Sequence, residues 1–203
     1  MLGVDLSPIQ PTSVPENCSF LVDNVANDWA FDHKFSYIHT RSIVSGVRDW
    51  GRLMKQAWDN LEPGGWLELQ EVRSFIVDDG SAAADAPIMV WIKSIEEALA
   101  KIGVDLNATS TFKEKLPATG FVNVTEAVIN APIGPWARGQ KEKIIGKLFQ
   151  KDIAENLRGI SMKMFQGVLG WSEEKYEEFI PKVYEEMYDP KVSSDFYVER
   201  VRY

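Results

Sequence analysis

The stretch that decides the fold runs through residues 35–71, FSYIHTRSIVSGVRDWGRLMKQAWDNLEPGGWLELQE. Its ends, FSYIHT and WLELQEV, are short and apolar-rich and fit β-strands. Between them, Trp50, Leu53, Met54, Ala57, Trp58 and Leu61 fall at i, i+3, i+4, i+7, i+8 and i+11, which predicts a helix with one apolar face. Asp49 is placed to cap its start. The Glu62-Pro63-Gly64-Gly65 segment ends it, because proline cannot continue a helix and glycine tolerates a left-handed cap. Strand, helix, turn and strand make one βαβ unit, whose right-handed crossover leaves the two strands parallel.

Working outward, the segments LGVDL and SFLVD upstream read as two more strands. Downstream, residues 87–102 predict a helix with Pro87 in the first turn and a stripe of Ile88, Trp91, Ile92, Ile95, Leu99 and Ile102. The segment FVNVTEAVINAPI alternates like a strand. Residues 138–168 predict a helix with Ile144, Ile145, Leu148, Phe149 and Ile153 on one side and a break at Gly159. Ser172 is placed to cap a further helix, and DFYVERVRY closes the chain as an alternating strand. The expectation is a single α/β domain over residues 1–203, with residues 138–188 inserted as a helical cap before the last strand.

Composition bounds the function. The chain has 203 residues, 45% of them hydrophobic, enough for one sizeable core. A net charge of −8 with no basic block argues against direct nucleic-acid binding. The single Cys18 excludes an internal disulfide and a cysteine-rich zinc site. His33 and His39, in different elements, make a metal cluster improbable. No apolar run is long enough to span a bilayer, and no signal peptide is visible. The default is an intracellular protein, cytoplasmic or with the nucleus as second compartment.

Ligands of open α/β sheets bind outside the carboxyl ends of the strands. Asp5 ends the first strand, where a carboxylate can accept hydrogen bonds from ribose hydroxyls. Asn24 follows the second; its side chain can accept from an adenine amino group, and the Val25 N–H can donate to a ring nitrogen. A plain polar turn accounts for the same residues. His39 ends the third strand and Glu71 the fourth. A structural hydrogen bond is as good a reading of a strand-end histidine as a site.

Together, GVDLSPIQP, FLVDNVANDWAF, the 35–71 stretch and the terminal FYVERVRY resemble class I S-adenosylmethionine-dependent methyltransferases, above all the fungal LaeA-like branch of secondary-metabolism regulators and their methyltransferase paralogues. The resemblance implies a Rossmann-like sheet in the order 3-2-1-4-5-7-6 with an antiparallel last strand, and S-adenosylmethionine as cofactor. It places the ribose on Asp5, the adenine near Leu6, Asn24 and Val25, and the sulfonium and methyl group before His39, which would serve as base for a hydroxyl acceptor. Asn24 stands where the family usually has an acid, keeping the acceptor oxygen without the charge. On this resemblance MLGVDLSP is strand two entered partway, so strand one and its Gly-rich loop are expected to be missing and activity impaired. The methyl acceptor is open, with selectivity expected from residues 74–104 and 135–190 and with Trp136 and Phe165 as candidate pocket walls. The rival reading is a catalytically silent module that keeps the fold and binds a protein partner; a nucleotide-dependent oxidoreductase fits less well, because its Gly-rich fingerprint is also lacking.

Overall fold

A computed structural model describes residues 1–77, 83, 85–189 and 196–202. The expected 35–71 unit is present. Strand β3 (Phe35–Arg41) and strand β4 (Leu61–Val77) pair in parallel across helix α1 (Trp50–Asn60). Asp49 caps α1, its carboxylate accepting from the Arg52 N–H at 2.9 Å. Trp50, Leu53, Met54 and Ala57 are buried as the spacing requires. Trp58 is partly exposed, yet its ring packs edge-on against Phe121 at 5.0 Å.

The proline–glycine turn is a bulge in the ladder. Phe35 pairs with Leu61 and Tyr37 with Trp66, so Ser36 alone faces Glu62, Pro63, Gly64 and Gly65. Gly64 takes a φ of 81°, which L side chains resist. At Gly65 a Cβ would stand 3.0 Å from the Glu62 carbonyl oxygen and 3.2 Å from that of Phe35. β4 also continues past Glu71, the residue expected to end it, as far as Val77.

Among the described residues the strands form two sheets. One pairs β1 (Leu2–Asp5) with β2 (Ser19–Val22) in parallel. The other has the order β3-β4-β6-β5, where β5 is Ala127–Pro132 and β6, Phe196–Arg202, is antiparallel to both its neighbours. These are the 3-2 and 4-5-7-6 portions of the expected order. β1 and β3 are edges of their sheets, and no ladder joins them. Tyr203, expected to end the last strand, lies outside the described residues, as do residues 78–82 and 84 of the first variable segment.

Two apolar clusters hold the elements. One lies under β4: Val44, Val47, the α1 face, Leu67 and Leu69 meet Phe112 and Leu116 of helix α3 (Phe112–Thr119). The other unites helix α2 (Pro87–Lys101), helix α4 (Gln140–Met162), the π-helical turn Lys163–Val168 and helix α5 (Glu173–Met187). Leu106 packs against both. α5 begins at Ser172, whose hydroxyl accepts from the Lys175 N–H. It also caps its neighbour: the Glu186 carboxylate accepts from the Ile88 N–H at 2.7 Å, at an α2 N-terminus whose own N-cap, Ala86, offers no side-chain acceptor.

Helix α4 departs from the sequence expectation. It runs unbroken through Gly159. Its buried face is Gly146, Gln150, Ile153, Ala154, Leu157 and Ser161, whereas Ile144, Ile145 and Leu148 are exposed. Residue type misled the reading because small and polar residues hold the buried stripe for specific reasons. Gln150 donates to the Met187 carbonyl at 2.7 Å, and the Ser161 and Tyr176 hydroxyls bond at 2.9 Å. Gly146 lies against the chain leaving β5: its carbonyl accepts from the Gly134 N–H at 2.9 Å, and a Cβ on it would run into the Gly134 carbonyl oxygen.

That contact ties the helices to the sheet. Gly146→Ala is therefore expected to cost about 1–3 kcal/mol through overpacking against backbone that cannot move aside. Chemical denaturation of the variant, with Gly159→Ala as a control having open space at its Cβ, checks this; equal stability of the two variants would count against it.

Candidate functional site

The structure brings four of the five expected site residues to one place. Asp5 ends β1, and its carbonyl accepts from the Asp23 N–H just past β2 at 3.0 Å. The carboxyl ends of the two strands are thus side by side. The Asp5 carboxylate accepts from the Ser7 N–H at 2.8 Å, which turns the chain away and leaves Leu6 two-thirds exposed. On the neighbouring end, the Asn24 side-chain oxygen accepts from the Ala26 N–H at 2.9 Å. A carbonyl oxygen has two lone pairs, so one acceptor position remains for a ligand.

The turn after β2 is anchored to the main core. Val25 packs against the cluster around α1. Its carbonyl accepts from the Trp29 indole N–H at 2.9 Å, and the Gln56 side chain of α1 accepts from the Trp29 backbone N–H at 2.9 Å. A helix of the four-stranded sheet therefore holds the loop of the two-stranded one. Trp29 and Gln56 were not singled out in the sequence; Gln56 sits on α1 beside its apolar stripe, and nothing local marks it as a tether.

His39 stands apart from these four. It lies on the exposed face of β3, opposite Glu68 of β4, with its ring stacked on Tyr37 at 6.1 Å. The Tyr37 hydroxyl donates to the Glu68 carboxylate. No hydrogen bond or ring contact links His39 to Asp5 or Asn24 among the described residues. Phe165 is fully buried between Trp171, Tyr176 and Phe179, and so is core. No group of three potential metal ligands occurs among the described residues, and no described helix is long and apolar enough to cross a membrane.

The residue most constrained beside His39 is Glu71. It is fully buried beneath the carboxyl end of β3. One carboxylate oxygen accepts from the Ile43 and Val44 N–H groups at 2.8 and 3.0 Å, and the other from the Thr40 hydroxyl at 2.9 Å. Leu67, Leu69 and Glu71 share one face of β4, so the period of two already placed a carboxylate in the core. Burial raises the Glu71 pKa above its ordinary value, against the opposing pull of the Thr40, Val44 and Ile43 hydrogen bonds.

The sign of the pH effect follows. A carboxyl whose folded pKa is raised contributes stability that is fully present below about pH 4.5 and is lost as pH rises through the folded value. Glu71→Gln keeps an oxygen for the two N–H groups and a donor for Thr40 without the charge. Its stability relative to the parent is expected to grow between pH 4 and pH 7. Thermal melts of both proteins across that range would show otherwise if the difference stayed flat or reversed.

Comparison with known proteins places this arrangement. Residues 1–126 match the model of a family described as a methyltransferase domain. The chain is 34% identical over 176 residues to methyltransferase pytC of Aspergillus terreus, covering 86% of this chain and 54% of that protein. It is 30% identical over 181 residues to a probable methyltransferase, tdiE, of Emericella nidulans, covering 87% and 57%. It is 24% identical over 196 residues to the secondary metabolism regulator laeA of Aspergillus flavus, covering 95% and 53%. The chain spans about half the length of these curated relatives. Among solved structures, the cyclopropane synthase MmaA2 of Mycobacterium tuberculosis superposes with a TM-score of 0.55 at 15% identity, covering 99% of this chain and 68% of that one, which shows the shared fold. With the sheet order, the paired strand ends and the family match in agreement, the chain belongs to the methyltransferase domain family.

Proposed function

We propose that this chain forms part of an S-adenosylmethionine-dependent methyltransferase of the LaeA-like branch. The observation that supports it best is the pairing of Asp5 and Asn24 at adjacent carboxyl ends of parallel strands, in a chain of a methyltransferase family. The donor set suits adenosine. Asp5 would accept from ribose hydroxyls, Leu6 offers an exposed apolar surface to the adenine, and Asn24 and the Val25 N–H would meet its polar edge. When bound, the cofactor supplies a methyl carbon already activated by a sulfonium. What remains for the protein is alignment and exclusion of water. His39 would take the proton of a hydroxyl acceptor at an imidazole nitrogen. The helical unit of residues 138–188, together with α2, would form the acceptor side. Two acceptor classes fit, a small molecule and a protein: the names of the relatives give secondary metabolism as a setting and, for laeA of Emericella nidulans, protein methionine as what is methylated.

A silent interaction module is the second reading. Its support is the position of β1 and β3 at the edges of their sheets among the described residues, since a sheet edge is a template for another chain.

Calorimetric titration with S-adenosylmethionine separates the two. The residues assigned here would meet only the adenosine portion, so the chain by itself is expected to bind more weakly than micromolar or not at all. Asp5→Ala is expected to weaken that binding about tenfold or more through loss of charged hydrogen bonds. Binding indifferent to Asp5 would refute the site assignment, and binding still absent once a Gly-rich strand and loop are supplied at the N-terminus would shift the weight to the interaction module.

A further inference from the structure

The bend that ends β3 has no glycine. The chain turns at Ser42, whose φ of 55° is the left-handed conformation that non-glycine residues seldom adopt. A strained turn of this kind persists only where its surroundings over-determine it. Here the surroundings are specific. The Ser42 N–H donates to the Gln70 carbonyl at 2.9 Å. Beyond Ser42, the left-handed step points the Ile43 and Val44 N–H groups at a single oxygen of Glu71, while the Thr40 hydroxyl, before the bend, reaches the other. Convergent backbone N–H groups of this kind form an anion-binding concavity, and the anion is a side chain of the next strand. Val44 and Val47 then anchor the loop into the core beneath it.

The three bonds to Glu71 come from residues 40–44, immediately after His39. The carboxylate therefore fixes where the carboxyl end of β3 stops and which way it leaves, at the end of the sheet where ligands of such folds bind. An apolar side chain of similar volume would fill the space and leave two buried N–H groups without partners. We infer that Glu71 is a positioning residue, which holds the 40–44 bend and through it the placement of His39. This rests on the reading of His39 as a site residue, and it assigns Glu71 no contact with substrate or cofactor.

The chain suits a spectroscopic test, because it holds two histidines, His33 and His39. His33 lies outside this network, beside Asp32 on the surface, and serves as an internal control. In proton–carbon correlation spectra of the whole chain, Glu71→Ala is expected to move the His39 ring resonances and leave those of His33 in place. Glu71→Gln, which can bond all three donors' atoms, is expected to restore the parent positions. Thr40→Val removes one of the three bonds with little change of shape, so it keeps the test open should Glu71→Ala fail to fold; its expected shift is smaller and in the same direction. His39 resonances unchanged in folded Glu71→Ala, or in Thr40→Val, would overturn the inference. So would a Glu71→Gln protein as displaced as Glu71→Ala. The readout needs no cofactor, so these shifts uphold or overturn the positioning role whether or not the chain binds S-adenosylmethionine.

Discussion

The parallel pairing of β3 with β4 is the constraint on which the rest depends. A parallel pair cannot be closed by a tight turn, so the chain must cross the sheet and return, and α1 is that crossing. The return sets the demand on residues 61–65. The chain must leave a helix, bulge past Ser36 and re-enter the ladder, which explains one glycine at positive φ and a second pressed against two carbonyls. It also brings the carboxyl ends of both strands to one end of the sheet, where β3 needs a bend and β4 provides the carboxylate beneath it.

α1 then works in two directions. Its apolar face seals the core under β4, and Gln56 on its flank holds the loop after β2. This links the strand ends that would hold adenosine to the sheet that carries His39. The two sheets share no ladder among the described residues, so their relation is carried by side chains packed on a helix. The β1–β2 pair shows the consequence: Phe20, Leu21 and Val22 are all substantially exposed, and no residue of either strand is buried. Such a pair contributes little apolar burial and depends on its neighbours for order.

The helical unit keeps itself together by a different logic. Polar side chains inside it meet specific partners: Gln150 the end of α5, Ser161 both Tyr176 and the Leu157 carbonyl, and Glu186 the start of α2. Outside, Arg158 makes a two-pronged pair with Glu177 across α4 and α5. The buried pairs specify geometry more than they add stability, because a buried polar group without its partner is costly and so excludes alternative packings. The unit is joined to the sheet where glycine backbones touch, at Gly134 and Gly146.

What the sequence by itself determined is what local spacing can encode. The face of α1, its Asp49 cap, the Ser172 cap, the stop to α1 before the proline–glycine segment and the strand ends at Asp5 and before Asn24 depend on residues within a turn or two of each other, and all can be read in order along the chain. Tertiary structure decided whatever depends on a partner far away. The buried face of α4 takes in a glycine, a glutamine and a serine because of what each meets on another element; of the expected apolar stripe, Ile153 is buried and Phe149 packs against the core, while Ile144, Ile145 and Leu148 are exposed. α2 joined the helices of the cap through a carboxylate 98 residues later in the chain. Glu71 was visible as a strand residue, but its role came from N–H groups that converge only once the bend after β3 has formed. Periodicity records which side of an element faces inward; the identity of what waits there is fixed only by packing.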